Sequence, residues 1–171
     1  MKKILLLLSL TFIFSQFAFA QTTEIWIVRH AEKDKTNPAD KNPNLSDEGK
    51  IRAGDLNRFL KKEKFNAAFS TPYNRTHQTL DSLIAKNKIT ITDYDVTETK
   101  ELVENVKKNF EGKTVIIAGH SNTVLELIEA FGGKRPKEEL TDDDYDYIFH
   151  LTLKGDKARV KMDQYGRPHH L

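Results

Sequence analysis

Short apolar runs alternate with helix-period segments along the chain from residue 21 onward. Residues 24–28 (E-I-W-I-V) form a β-branched run that stops at Arg29-His30 and predicts a first strand. Residues 34–44 carry Pro38, Pro43 and several Asn and Asp with no apolar period, which predicts an irregular loop. Ser46 followed by Asp47 and Glu48 then marks a helix start, and the spacing predicts a helix to about Lys62 with Ile51, Leu56, Phe59 and Leu60 inward. Residues 67–69 predict a second strand, which leads through Ser70-Thr71-Pro72-Tyr73 into a helix carrying Arg75, Thr79, Leu80, Leu83 and Ile84. A third strand is predicted over 89–94, ending at Asp95, and a helix over 100–110 with Leu102, Val103 and Val106 on one side. Residues 114–118 (T-V-I-I-A) predict a buried strand that gives way at once to Gly119-His120-Ser121 and a helix over 124–130, ended by Gly132-Gly133. The stretch 134–144 is charged and loop-like, and its acid run, Asp142 to Asp144, reads as a solvated surface turn. Residues 147–153 and 158–162, joined by Lys154-Gly155-Asp156, predict a closing hairpin.

Four strands separated by helices imply an α/β fold, a three-layer α/β/α sandwich on a mostly parallel sheet with a C-terminal hairpin. In such sheets ligands sit outside the carboxyl ends of the strands. Arg29-His30, the segment from Ser70 to Arg75, Asp95 and Gly119-His120 all fall at those ends. No repeat or second domain is visible, and residues 21–171 read as one domain.

The first twenty residues change the picture of where the protein works. Lys2 and Lys3, an apolar stretch from Ile4 to Phe19 with four polar interruptions, and Ala18-Phe19-Ala20 have the layout of a secretory signal cleaved after Ala20. A retained membrane anchor is the competing reading of that stretch. Cleavage implies an exported protein, periplasmic or secreted, with no stable membrane anchor. Losing Lys2 and Lys3 takes the formal net charge from +2 to zero, so bulk charge gives no reason to expect a nucleic-acid partner. The chain has no Cys, so no disulfide framework supports it and stability must come from a conventional core.

The candidate chemistry lies at the strand ends. A phosphoester dianion needs positive, hydrogen-bond-rich surroundings, and arginine supplies a planar donor fork that never loses its charge. Arg29 and Arg75 are placed to converge beside His30 and His120. A neutral imidazole can attack phosphorus directly and so divide hydrolysis into two steps, which suits His30; nearby cations would keep it unprotonated. His120 would serve as a phosphate ligand, best when protonated. Ser121 and Asn122 follow it at a strand-to-helix junction as substrate contacts, with Ser121 equally readable as a helix cap. Glu32 lies close enough to the nucleophile to touch the leaving group, or else forms a surface ion pair with Lys33. An alkoxide leaves poorly unless protonated. Asp95 is the candidate acid, with Asp93, Glu98 and Glu101 as rivals and a plain turn role as the alternative. His77 should face elsewhere, and His150, His169 and His170 have no partner signature.

Arg29-His30-Ala31-Glu32-Lys33, the segment Ser70-Thr71-Pro72-Tyr73-Asn74-Arg75-Thr76-His77-Gln78-Thr79, and Gly119-His120-Ser121 resemble, in order, the three signatures of the histidine phosphatase superfamily, in its phosphoglycerate-mutase-like branch. The resemblance spans the chain beyond residue 20 and implies a phosphohistidine nucleophile at His30, phosphate ligands at Arg29, Arg75 and His120, and no metal or other cofactor. The chain departs from the pattern in two places: Ala31 stands where Gly is common, and residues 94–98, directly after the third strand, lack the Leu-x-Glu setting of the acid in larger members.

Together these readings predict a metal-independent phosphatase acting on a small phosphorylated substrate. Its natural substrate and oligomeric state are not legible. A mutase, a protein phosphohistidine phosphatase and a non-catalytic phosphate-binding protein are the alternatives. A metal-binding module built on His30, His77 and His120 lacks both Cys and any close His pair.

Overall fold

The computed structural model describes residues 21–168. The expected export signal over residues 1–20 and the tail residues His169 and His170 lie outside them. The elements run β1 (Thr22–Arg29), α1 (Asp47–Phe59), β2 (Ala67–Ser70), α2 (Asn74–Asn87), β3 (Ile91–Asp93), a single 3-10 turn (Val96–Glu98), α3 (Thr99–Asn109), β4 (Thr114–Gly119), α4 (Val124–Ala130), β5 (Tyr147–Lys154) and β6 (Lys157–Gln164). Among the described residues no helix is long and apolar enough to cross a membrane.

One six-stranded sheet organises the molecule in the order β3-β2-β4-β1-β5-β6. The first four strands are mutually parallel, and the C-terminal hairpin β5–β6 adds two antiparallel strands beside β1. Four of the six strands are thus parallel, and the expected C-terminal hairpin, residues 147–164, joins β1 directly and makes the sheet mixed.

Alternation along the central strands sends successive side chains into two separate cores. On one face Ile25, Ile27, Phe69, Val115 and Ile117 pack with Leu102, Val103 and Val106 of α3 and with Val124, Leu125, Leu127 and Ile128 of α4. On the other, Trp26, Val28, Ala68, Ile116 and Ala118 pack with Leu56 of α1 and with Leu80 and Leu83 of α2. Helices thus cover both faces, as expected for three layers. At the margin of the second core the Trp26 ring stacks on His150 at 4.0 Å, and His150 Nε2 lies 2.5 Å from Glu24 Oε2. His150 thereby has a structural partner.

Helix α1 departs from its predicted face. Ile51 and Phe59 are about half exposed, while Gly49, Arg52, Ala53 and Leu56 turn inward. An arginine occupies a core-facing position because Arg52 donates to both carboxylate oxygens of Glu32, at 2.8 and 3.0 Å, and to the carbonyls of Tyr165 and Arg167. Counting apolar residues alone could not anticipate that pair. Strand β3 is also shorter than predicted, because residues 89 and 90 complete the exit from α2.

The start of α1 presses against the segment that follows the end of β1. Ser46 N–H donates to the Glu32 carbonyl at 2.9 Å, and a Cβ on Gly49 would fall 2.1 Å from that same oxygen. Gly49→Ala should therefore lower stability by about 1–3 kcal/mol, the usual cost of overpacking against backbone. Gly54→Ala on the same helix meets only the end of the Arg58 side chain, at 3.5 Å, and should be neutral or stabilising by up to about 1 kcal/mol. Urea unfolding of both variants checks this, and equal midpoints would show that the contact at Gly49 is not restrictive.

Candidate active site

Parallel pairing of β1 with β4 places two histidines side by side. The ladder runs in register to Arg29↔Gly119, and His30 N–H extends it by donating to the Gly119 carbonyl at 2.9 Å. His30 and His120 therefore emerge together at the carboxyl edge, with ring centroids 5.3 Å apart. β2 lies on the other side of β4, so its exit through Thr71 brings Arg75, in the first turn of α2, to the same edge.

The protonation of His30 follows from its surroundings. Nδ1 lies 2.7 Å from the Ala31 carbonyl, which can only accept, so Nδ1 carries the proton and Nε2 keeps a lone pair. Burial, aided by the charges of Arg29 and Arg75 and by His120, outweighs that hydrogen bond and pushes the His30 pKa down to about 3. The backbone that fixes the ring is itself held, because Ala31 N–H donates to Thr79 Oγ1 at 2.9 Å and Thr79 Oγ1 donates to the Arg75 carbonyl at 2.7 Å.

His120 has its Nε2 2.9 Å from Thr71 Oγ1, and burial, then Arg75 and Arg29, lower its pKa to about 4. The expectation of a protonated His120 thus does not describe the protein on its own at neutral pH. A dianion placed beside it would favour the charged form. The backbone N–H of His120 donates to Thr123 Oγ1 at 3.1 Å, and Thr123, not Ser121, occupies the cap position of α4.

Both arginines rest on tyrosine rings. The Arg29 guanidinium lies 4.0 Å from the Tyr145 ring centroid, and Arg75 lies 4.5 Å from that of Tyr73. Arg29 Nη1 also donates to the carbonyls of Thr141, at 2.7 Å, and Asp144, at 3.3 Å. Burial lowers the pKa of both guanidiniums, yet arginine stays charged at any physiological pH. Two cations and two neutral imidazoles therefore face one cleft of about 660 Å³, lined also by Lys33, Lys35, Tyr73, Ser121, Asn122, Asp142 and Tyr145. Among the described residues no three His, Asp or Glu side chains converge to hold a metal ion.

Of the residues named from sequence, His30, Arg29, Arg75, His120, Ser121 and Asn122 line this cleft. Glu32 does not: its carboxylate turns the other way, to the buried Arg52. Asp95 does not either. It caps the 3-10 turn, with Oδ1 accepting from Thr97 N–H at 2.8 Å and Thr97 Oγ1 at 2.7 Å, and those bonds lower its pKa, the opposite of what an acid needs. Its rivals fare no better as cleft groups. Asp93 lies 2.6 Å from His77 Nε2, while Glu98 and Glu101 border a separate small hollow.

Tyr73, Tyr145 and Asp142 are cleft residues that the sequence did not single out, while Lys33, close to the nucleophile in sequence, does line the cleft. The acid run is not a plain solvated turn. Asp144 is buried, its carboxylate accepting from Thr141 N–H at 2.7 Å and Thr141 Oγ1 at 3.0 Å, and Asp146 is buried too. A segment without apolar period carried no signal of this.

Comparison with known proteins agrees with this geometry. Residues 25–116 match the family model of the histidine phosphatase superfamily (branch 1). A search of curated proteins gives no match. Similar solved structures include the protein histidine phosphatase SixA complexed with tungstate, at 17% identity over 83% of this chain and 95% of that one, with a TM-score of 0.63. SixA from Agrobacterium tumefaciens is 18% identical over 85% of this chain and 98% of its own, TM-score 0.61. A mycobacterial glucosyl-3-phosphoglycerate phosphatase is 11% identical over 85% and 99%, TM-score 0.65. At such identities these structures share the fold, and the family model, which matches more than half of the sequence, makes this chain a member of the histidine phosphatase superfamily, branch 1.

Proposed function

We propose that the protein is a metal-independent phosphatase that hydrolyses small phosphomonoesters through a phosphohistidine on His30, and that it works outside the cytoplasm once residues 1–20 are removed. The observation that carries this reading is the state of His30. A buried imidazole whose Nδ1 proton is committed to a backbone carbonyl presents an Nε2 lone pair beside two arginines and a second histidine.

The chemistry follows from that arrangement. Arg29, Arg75 and His120 receive the phosphoryl oxygens, where charge spreads during transfer, and His120 takes up a proton as the dianion binds. Nε2 of His30 attacks phosphorus opposite the leaving oxygen, and the positive charge developing on the ring is met by the Ala31 carbonyl at Nδ1. Water then displaces phosphate from Nε2 and restores the neutral ring. Two walls, the loop closed by the Lys33↔Leu45 bridge and the 134–146 segment, border the cleft and set which leaving groups fit.

His30→Ala should lower release of phosphate from p-nitrophenyl phosphate by at least about 10³-fold with unfolding midpoints unchanged, as loss of a nucleophile does. Alkali-stable trapping separates the readings: wild type should carry label from a ³²P-monoester at His30, lost under acid and kept under alkali. Turnover at wild-type rate in His30→Ala, or activity with no trapped phosphohistidine, would overturn the mechanism, and binding without turnover would favour a phosphate-binding protein.

Long-range ¹H–¹⁵N NMR of the imidazoles tests the protonation argument. Both folded-state pKa values lie below the ordinary value near 6.5, so at pH 6 His30 and His120 should still be neutral, with His30 as the Nδ1–H tautomer. A midpoint at or above pH 6 for either ring would sink it.

A further inference from the structure

The reaction proposed above needs a proton donor for the leaving group. We infer that Asp142 is the general acid, and the following step's base, of the phosphatase reaction; this rests on the function proposed above.

Three carboxylates line the cleft: Asp34, Asp40 and Asp142. Two of them serve the loop that carries them. Asp34 Oδ1 accepts from Thr36 N–H at 2.8 Å, which lowers its pKa, and Asp40 Oδ1 accepts from Asn42 N–H at 2.8 Å. Asp142 differs in both position and attachment. Its Oδ1 lies 3.9 Å from Arg29 Nη2, beyond hydrogen-bond reach, with the carboxylate almost wholly exposed above a nearly buried guanidinium.

Its turn is anchored to the phosphate-binding machinery itself. Arg29 Nη1 donates to the carbonyls at both ends of the turn, Thr141 and Asp144, and the buried Asp144 carboxylate closes it by accepting from Thr141. Asp142 sits at the tip. In-line attack by Nε2 of His30 puts the leaving oxygen on the far side of phosphorus from that ring, and Asp142 is an exposed carboxylate in the same cleft as the buried Arg29 and His30. One arginine thus binds the phosphoryl group and positions the turn that presents the acid.

The steps balance. As the phosphomonoester dianion settles between Arg29, Arg75 and His120, the exposed Asp142 carboxylate takes a proton from solvent; a negative charge beside a carboxylate favours its protonated form. His30 Nε2 forms the N–P bond, the P–O bond breaks, and the Asp142 proton goes to the leaving oxygen, releasing an alcohol. Asp142, again a carboxylate, then takes a proton from water as that water's oxygen bonds to phosphorus. The N–P bond breaks, its electron pair returns to Nε2, and inorganic phosphate departs. Exposure of Asp142 lets it exchange its proton with solvent between turnovers.

The test compares kcat/KM of mature wild type, Asp142→Asn and Asp143→Asn over phosphomonoesters whose leaving groups span nitrophenol to simple alkanols. General-acid loss should cost about 10²–10⁴-fold for alkyl leaving groups. Nitrophenyl phosphate, which needs little protonation, should lose less than about 10-fold, so dependence on leaving-group pKa steepens. Asp143→Asn removes the same charge one residue along and should keep the wild-type slope. An equal loss across the series would mean that Asp142 merely holds Arg29, and overturns the assignment, as does an unchanged profile. Trapped label at His30 in wild type separates this outcome from failure of the phosphohistidine reading, which would show no label at all.

Discussion

The pairing of β1 with β4 is the constraint on which the site depends. Because the ladder continues through Arg29↔Gly119 to His30 N–H on the Gly119 carbonyl, the chain leaves both strands at one level and delivers two histidines to one point. That placement is costly for charge. Rings that are buried beside two guanidiniums lose their protons, and only in that state does His30 keep a lone pair on Nε2. Packing, protonation and nucleophilicity are thus consequences of a single register. A slip of one residue in β1 would exchange Val28 and Arg29 between core and cleft and remove the site altogether.

Much of this was legible in sequence because the same residues carry local and global information. The run E-I-W-I-V is at once a strand signal and the approach to Arg29-His30, and T-V-I-I-A does the same for His120. Periodicity gave the layers and the closing hairpin for the same reason: each apolar side chain has one of two cores to enter. What periodicity missed was decided by pairs of polar groups distant along the chain. Arg52 holds a core position because of Glu32, twenty residues earlier, and Ile51 is displaced outward in consequence. The acid run Asp142 to Asp144 reads as surface because consecutive charges with no apolar period look solvated, yet Asp144 is buried, closing onto Thr141 in the turn that Arg29 clamps. Asp95 was a reasonable acid by its place after a strand, and a turn residue in fact, since the nearest amide and hydroxyl, both of Thr97, claim its carboxylate.

Three buried or half-buried arginines show how partner chemistry separates a structural role from a functional one. Arg52 meets a carboxylate in a paired, hydrogen-bonded geometry, so its charge is spent within the fold and joins the segment after the nucleophile to the chain near Arg167. Arg29 and Arg75 are held instead by tyrosine faces, and Arg29 also by backbone carbonyls. An aromatic face or a carbonyl orients a guanidinium without neutralising it. A carboxylate in their place would occupy and neutralise the same donors and, by its own charge, favour protonation of His30. The exposed Asp142 carboxylate stands 3.9 Å from Arg29 Nη2, beyond hydrogen-bond reach. At that distance no hydrogen-bonded carboxylate neutralises the guanidinium, whose contacts are instead backbone carbonyls and an aromatic face.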